Sequence, residues 1–85
     1  MADSATIRMY GAEWCGDCRR TSKQLTDLGV AFDYIDLVAQ PDQVDVAKEI
    51  AGRANIPVVV YPDGSHHVEP SNKEVEAKLR ELSLI

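Results

Sequence analysis

The spacing of apolar and polar side chains changes repeatedly along this chain, and each change marks the edge of an element. From Ala5 to Tyr10, Ile7 and Met9 fall on one side and Thr6 and Arg8 on the other, the two-residue period of a half-buried strand, which Gly11 closes. Beyond the loop Ala12-Glu13-Trp14 the period lengthens. Cys18, Ser22, Leu25 and Leu28 recur at intervals of three and four, predicting a helix from Cys15 or Gly16 to Leu28. Gly29 follows, a residue that can take the left-handed conformation at a helix end without penalty. Val30 to Leu37, rich in β-branched and aromatic residues, reads as a second strand, and a strand–helix–strand run this short implies a parallel pair with a right-handed crossover.

Pro41 near a helix start, then Val44, Ala47, Ile50 and Ala51 up to Gly52, predict a second helix. Pro57 opens Val58-Val59-Val60-Tyr61, an unbroken apolar strand suited to burial on both faces. Pro62-Asp63-Gly64 supplies a turn, and Ser65 to Val68 returns as an antiparallel edge strand. Ser71 with Glu74 three residues on matches a capping box, and Val75, Leu79 and Leu82 form the stripe of a last helix. The expected fold is α/β: one domain over residues 1–85, with a four-stranded mixed sheet and three helices in the order β-α-β-α-β-β-α.

Composition narrows the function. The chain has 85 residues, 45% apolar and 27% charged, as in an ordinary globular domain. Nine Lys and Arg against fourteen Asp and Glu give a net charge of −5, which argues against nucleic-acid binding through phosphate neutralisation. The longest apolar run, Ile56 to Tyr61, falls far short of the roughly 20 residues of a membrane span. The opening Met-Ala-Asp-Ser-Ala-Thr has no basic region followed by an apolar stretch, so a cytoplasmic location is expected. In a reducing compartment two cysteines three positions apart, Cys15 and Cys18, point to catalysis or metal binding rather than a structural staple.

The pair falls where the first strand ends and the first helix begins. A thiolate there meets the free N–H groups and positive end of the helix, which stabilise the anion and raise the nucleophilic fraction. Cys15, ahead of the first turn, is expected to be exposed and to attack; Cys18, one turn in, is shielded and resolves. Two intervening residues allow an S–S bond of about 2.05 Å, but the loop it closes is tiny, so reversible exchange is its better use. Arg19 and Arg20, with Arg8 from the first strand, favour the thiolate, and Glu13 and Asp17 oppose it, so a moderate preference for the anion is expected. For at least one of Arg19 and Arg20 the favoured reading is a merely solvated helix face. Trp14 reads either as a core aromatic or as an apolar shoulder of the site.

The metal reading makes Cys15 and Cys18 half of a zinc site completed by His66 and His67, within a noncatalytic module. Adjacent histidines on a strand point to opposite faces, which favours solvated edge positions for both instead. Ile56-Pro57 is the other informative pair. A proline is allowed at the first position of a strand. Its functional form is a cis peptide presenting the Ile56 backbone beside the sulfurs, where a substrate can pair as an added strand.

Together, Trp14-Cys15-Gly16-Asp17-Cys18 after a first strand, Ile56-Pro57 before a third, and Pro62-Asp63-Gly64-Ser65 leading to Glu69-Pro70-Ser71 resemble the glutaredoxin branch of the thioredoxin superfamily. The chain is most similar to actinobacterial mycoredoxins and related glutaredoxin-like redoxins, and the resemblance covers nearly its whole length. It implies the minimal thioredoxin-like fold and a thiol–disulfide oxidoreductase. Cys15 would attack a protein disulfide or a protein–small-thiol mixed disulfide, Cys18 would resolve, and Pro57 would be the cis-proline. The Ile56 backbone would anchor the thiol's peptide-like part. Trp14, Gly16, Asp17, Glu69, Pro70 and Ser71 would border the same groove.

The resemblance further implies no bound cofactor. Electrons would come from a low-molecular-weight thiol, mycothiol or glutathione, or from NADPH through a partner flavin reductase such as a thioredoxin-type or mycothiol disulfide reductase. Disulfide-bearing proteins would be the partners of a monomer. An alternative is a thioredoxin-reductase-dependent electron donor to ribonucleotide reductase. Gly16-Asp17 replaces the usual Pro-Tyr between the cysteines, Ile56 the usual Val, and Pro70-Ser71 the Gly/Ser-Asp of many glutathione-binding members. Single-cysteine iron–sulfur assembly members carry Ser at the second position, so Cys18 argues against that role.

Overall fold

The computed structural model describes residues 6–85, so Ala5, assigned above to the first strand, lies outside the described residues. The elements are β1 (Ile7–Gly11), α1 (Gly16–Asp27), β2 (Phe32–Asp36), α2 (Gln43–Ala51), β3 (Val58–Val60), β4 (His66–Val68) and α3 (Asn72–Glu81). The predicted order is present in full. The strands lie β2-β1-β3-β4, with β1 and β2 parallel and the β1–β3 and β3–β4 pairs antiparallel.

Because side chains alternate across a strand, β1 and β3 divide between two cores. Ile7, Met9 and Val59 face α1 and α3, packing with Cys18, Leu25, Val75 and Leu79. Tyr10, Val58 and Val60 face α2 and pack on Ala47. No helix of the described residues is long and apolar enough to cross a membrane.

Several boundaries and faces differ from the sequence reading. The buried stripe of α1 is Cys18, Thr21 and Leu25; Ser22 is half-buried, and Leu28, at the C-cap, is exposed. Gly29, at φ 73°, ends the helix as expected. β2 is shorter than predicted because Val30 is still occupied in closing α1, its N–H donating to the Leu25 carbonyl at 3.1 Å. Beyond β2 the Asp36 carboxylate accepts from the Val38 N–H at 2.9 Å, which turns the chain. Tyr61 leaves β3 to open the turn, accepting from the Gly64 N–H at 2.9 Å.

Candidate functional site

The site starts with a glycine. Gly11 pairs with Asp36 across the sheet, and a Cβ there would stand 2.9 Å from the Cys18 sulfur and 3.2 Å from Cε1 of Tyr34. The missing side chain is therefore the space into which Cys18 packs, fully buried, against the end of β1.

Cys15 is the N-cap of α1. Its backbone is extended (φ −88°, ψ 115°), and its sulfur accepts the Cys18 N–H at 3.2 Å, where a Ser or Asp oxygen would ordinarily sit. On its other side the sulfur lies 4.0 Å from the Ile56 carbonyl oxygen. Both cysteines are free thiols. The expectation that Cys15 is exposed needs correction: it is only 9% accessible, because its sulfur turns in under the first turn to serve as the cap. Burial, with the hydrogen bond to Cys15 next in weight, pushes the Cys18 thiol up to about 12, against an opposing hydrogen bond with the Ala12 backbone.

The sulfur of Cys15 opens onto a groove of about 550 Å³ lined by Trp14, Gly16, Asp17, Ile56 and Glu69, together with Ala54 and Asn55. Trp14 is 72% exposed, so of its two readings the structure selects the shoulder. The Ile56–Pro57 bond is cis, and Ile56 lines the groove while Pro57 lies buried behind it. Of the Glu69-Pro70-Ser71 segment only Glu69 lines this groove. Pro70 is buried, and Ser71 caps α3 and lines a neighbouring hollow with Arg20 and Asn72. Next to the groove, Trp14 and Ile56 continue into an apolar trough of about 260 Å³ with Leu37, Val38 and Val44.

The charges are arranged differently from the sequence expectation. Arg8 projects from the α2 side of the sheet, donating to the Tyr10 hydroxyl at 3.1 Å, away from the sulfurs. Arg19 donates to the Glu13 carbonyl oxygen. Arg20 bonds the Asp17 carboxylate at 2.8 Å, the Pro70 carbonyl at 2.9 Å and the Asn72 side chain at 3.1 Å. Its charge is thus directed to Asp17 and the start of α3, and the opposition of Asp17 to a thiolate is partly neutralised. The exposed Glu13 carboxylate contributes instead to holding the Tyr34 hydroxyl protonated, second to the burial of that residue.

His66 is exposed on β4, but His67 is not the solvated residue expected. It is half-buried, with Nδ1 2.9 Å from the Tyr61 hydroxyl and the rings edge-to-face. Among the described residues no three of His, Cys, Asp and Glu converge as metal ligands. Sequence reasoning missed Gly11 as the space for Cys18, and Asn55, whose side-chain amide donates to Glu69 at 3.0 Å. A small residue at a strand end beside a cysteine pair was a usable signal for the first; nothing local marks the second.

The Glutaredoxin family model matches residues 7–67. The chain is 31% identical over 80 residues to Mycoredoxin 1 of Corynebacterium glutamicum, covering 93% of this chain and 99% of that protein. A Mycobacterium tuberculosis protein named as a glutaredoxin is 31% identical over 81 residues, covering 94% of this chain and 96% of its own. Among solved structures, a glutaredoxin from Archaeoglobus fulgidus superposes with a TM-score of 0.78 at 27% identity, covering 89% of this chain and 87% of the other. One from Methanosarcina mazei gives 0.74 at 28%, covering 89% and 79%.

Proposed function

Because this chain belongs to the glutaredoxin family, whose members are in general thiol–disulfide oxidoreductases, we propose that it works by a dithiol mechanism through Cys15 and Cys18. The observation that carries the reading is the Cys15 sulfur capping α1, at 3.2 Å from the Cys18 N–H and open to the groove. The same N–H that caps the helix stabilises negative charge on the sulfur.

In the first step the Cys15 thiolate attacks one sulfur of a target disulfide. That S–S bond breaks, its electron pair leaves on the departing thiolate, and Cys15 holds a mixed disulfide. In the second, Cys18 gives up its proton and attacks the Cys15 sulfur, forming the intramolecular disulfide and releasing the second thiol. Two electrons have then passed from the protein to the target.

The causes that hold the proton on Cys18 order these steps. Burial is the largest, but its hydrogen bond to Cys15 and the Cys15 charge also contribute. Both weaken once Cys15 is tied into the mixed disulfide, so Cys18 becomes easier to ionise when its attack is needed. The Ile56 backbone and the apolar trough support a disulfide-bearing polypeptide as target, laid along the groove in extended form. A small thiol or a flavin reductase would return the protein to its dithiol form, with no resident cofactor.

The test is trapping. Cys18→Ser, incubated with hydroxyethyl disulfide, should accumulate a mixed disulfide on Cys15 by mass spectrometry, and Cys15→Ser should accumulate none. Absence of any adduct on Cys15 would defeat the proposal. Reduction of the oxidised wild type by mycothiol, by glutathione, or by thioredoxin reductase with NADPH then identifies the physiological type of reductant.

A further inference from the structure

The groove in front of Cys15 has an unbalanced lining. Its ionic side chains are Asp17 and Glu69, and no Lys, Arg or His lines it among the described residues. Asp17 already has a cation, Arg20, at 2.8 Å. Glu69 does not: its partner is the neutral amide of Asn55 at 3.0 Å, and among the described residues it forms no ion pair. Arg20 lines the adjoining hollow with Glu69 but is bonded to Asp17, so Glu69 brings to the groove a carboxylate with no direct ion-pair partner among the described residues.

Glu69 is also held in place. Its backbone takes φ 52°, a conformation unfavourable for a side-chain-bearing residue, and its N–H donates to the Pro57 carbonyl at 2.8 Å. That bond ties it to the segment whose preceding residue, Ile56, stands 4.0 Å from the Cys15 sulfur. A carboxylate fixed on the backbone that borders the nucleophile acts on whatever the nucleophile receives. The net charge of −5 reinforces it at longer range.

We infer that Glu69 is a specificity-determining residue, which makes the groove favour disulfides whose thiol halves carry an ammonium or only neutral hydroxyl groups and disfavour those whose halves carry carboxylates. This rests on the proposed chemistry at Cys15. The step is the exchange already written: Cys15 forms the new S–S bond, the attacked disulfide breaks, and one thiolate half leaves with the electron pair. An ammonium on the retained half pairs with Glu69. A carboxylate on that half meets like charge from Glu69 at the groove. Charge focusing in clefts changes encounter rates on the order of 10- to 1000-fold, and this groove is open enough to place the effect near the lower end.

The reduced wild-type protein is mixed with cystamine, hydroxyethyl disulfide and glutathione disulfide, which bring cationic, neutral and net anionic halves. Thiol loss is timed, and each rate is divided by that of the same disulfide with dithiothreitol to remove intrinsic reactivity. At low salt the normalised rates should fall in that order, with cystamine about tenfold ahead of glutathione disulfide, and high salt should compress the ratio. Glu69→Gln should bring it toward one, and Glu69→Lys should reverse it. Glu69 is exposed, and circular dichroism checks that each variant is folded. Equal normalised rates in the wild type, or a ratio untouched by Glu69→Gln, would overturn the inference. Failure of all three disulfides to react would instead defeat the dithiol chemistry beneath it.

Discussion

Two helices in this protein begin with the same device at the same spacing, and they use it differently. α3 starts at Ser71, whose hydroxyl accepts the Glu74 N–H at 3.1 Å, while the Glu74 carboxylate accepts the Ser71 N–H at 2.8 Å. α1 starts at Cys15, whose sulfur accepts the Cys18 N–H at 3.2 Å. In both, the cap reaches the third helical residue. At α3 that residue reaches back and closes the box. At α1 it is Cys18, which points inward and is fully buried, so the Cys15 N–H turns to the Ala12 carbonyl at 3.1 Å instead. A cap closed from both sides is scaffold; one made by a single polarisable sulfur is free to exchange bonds. Arg20 joins the two starts, holding Asp17 beside the first and the Pro70 carbonyl and Asn72 at the second.

The change that breaks the comparison most severely acts behind α1. Gly11→Ala places a methyl 2.9 Å from the sulfur of Cys18, which is itself fully buried. Overpacking of this kind costs about 1–3 kcal/mol. The thermal midpoint should fall by several degrees, roughly as expected for a domain this small. Resolution of the mixed disulfide should slow at the same time. An unchanged midpoint would mean that β1 yields and that Cys18 is not locked against it.

The two starts also respond to opposite ends of the pH scale. Cys18 is raised from 9.0 to about 12, first by burial, so between those values the folded chain holds a proton that the unfolded chain has released. Its stabilising contribution is therefore complete below pH 9.0 and declines as pH rises toward 12. Half-buried Tyr34 and buried Tyr61, both raised above 10.0, add to the decline from about that pH. Glu74 is held below its ordinary 4.5 by the Ser71 N–H, so what it contributes is present above that value and lost as pH falls through the lowered one. Urea midpoints from pH 7 to 11 should fall, and Cys18→Ser should flatten the part that begins near 9.0. An identical alkaline slope in that variant would remove Cys18 from the account.

What could be read from the chain follows from how local each signal is. The order of seven elements, the start of α1 at the cysteines and the capping box of α3 all rest on neighbours within a few positions. The roles of the arginines do not. Arg20 finds the Pro70 carbonyl 50 residues away, and the sulfur of Cys15 lies against a carbonyl 41 residues on, which is why neither contact was legible; the Arg20–Asp17 pair, three positions apart on α1, is the local exception. Likewise Leu28 continues the apolar spacing of α1 but falls at its C-cap, beyond the face that meets the sheet. His67 alternates correctly on β4, but the Tyr61 hydroxyl that takes its ring nitrogen is placed there only by the turn. Glu69, Pro70 and Ser71 are consecutive, yet the left-handed backbone at Glu69 sends them to three different tasks.

The smallest effect separates scaffold from chemistry most cleanly. Ser71→Ala removes an N-cap oxygen and should cost about 1 kcal/mol in urea denaturation, since Ala cannot accept the Glu74 N–H. Its exchange rate with hydroxyethyl disulfide should stay within a few-fold of wild type, because Ser71 does not line the Cys15 groove. Cys15→Ser should do the reverse. A serine hydroxyl is itself a strong N-cap, so stability should hold within about 0.5 kcal/mol while exchange disappears. If Cys15→Ser proved the more destabilising of the two, the sulfur would be a packing element of α1 first and a cap second. The division of labour between the two helix starts would then have to be redrawn.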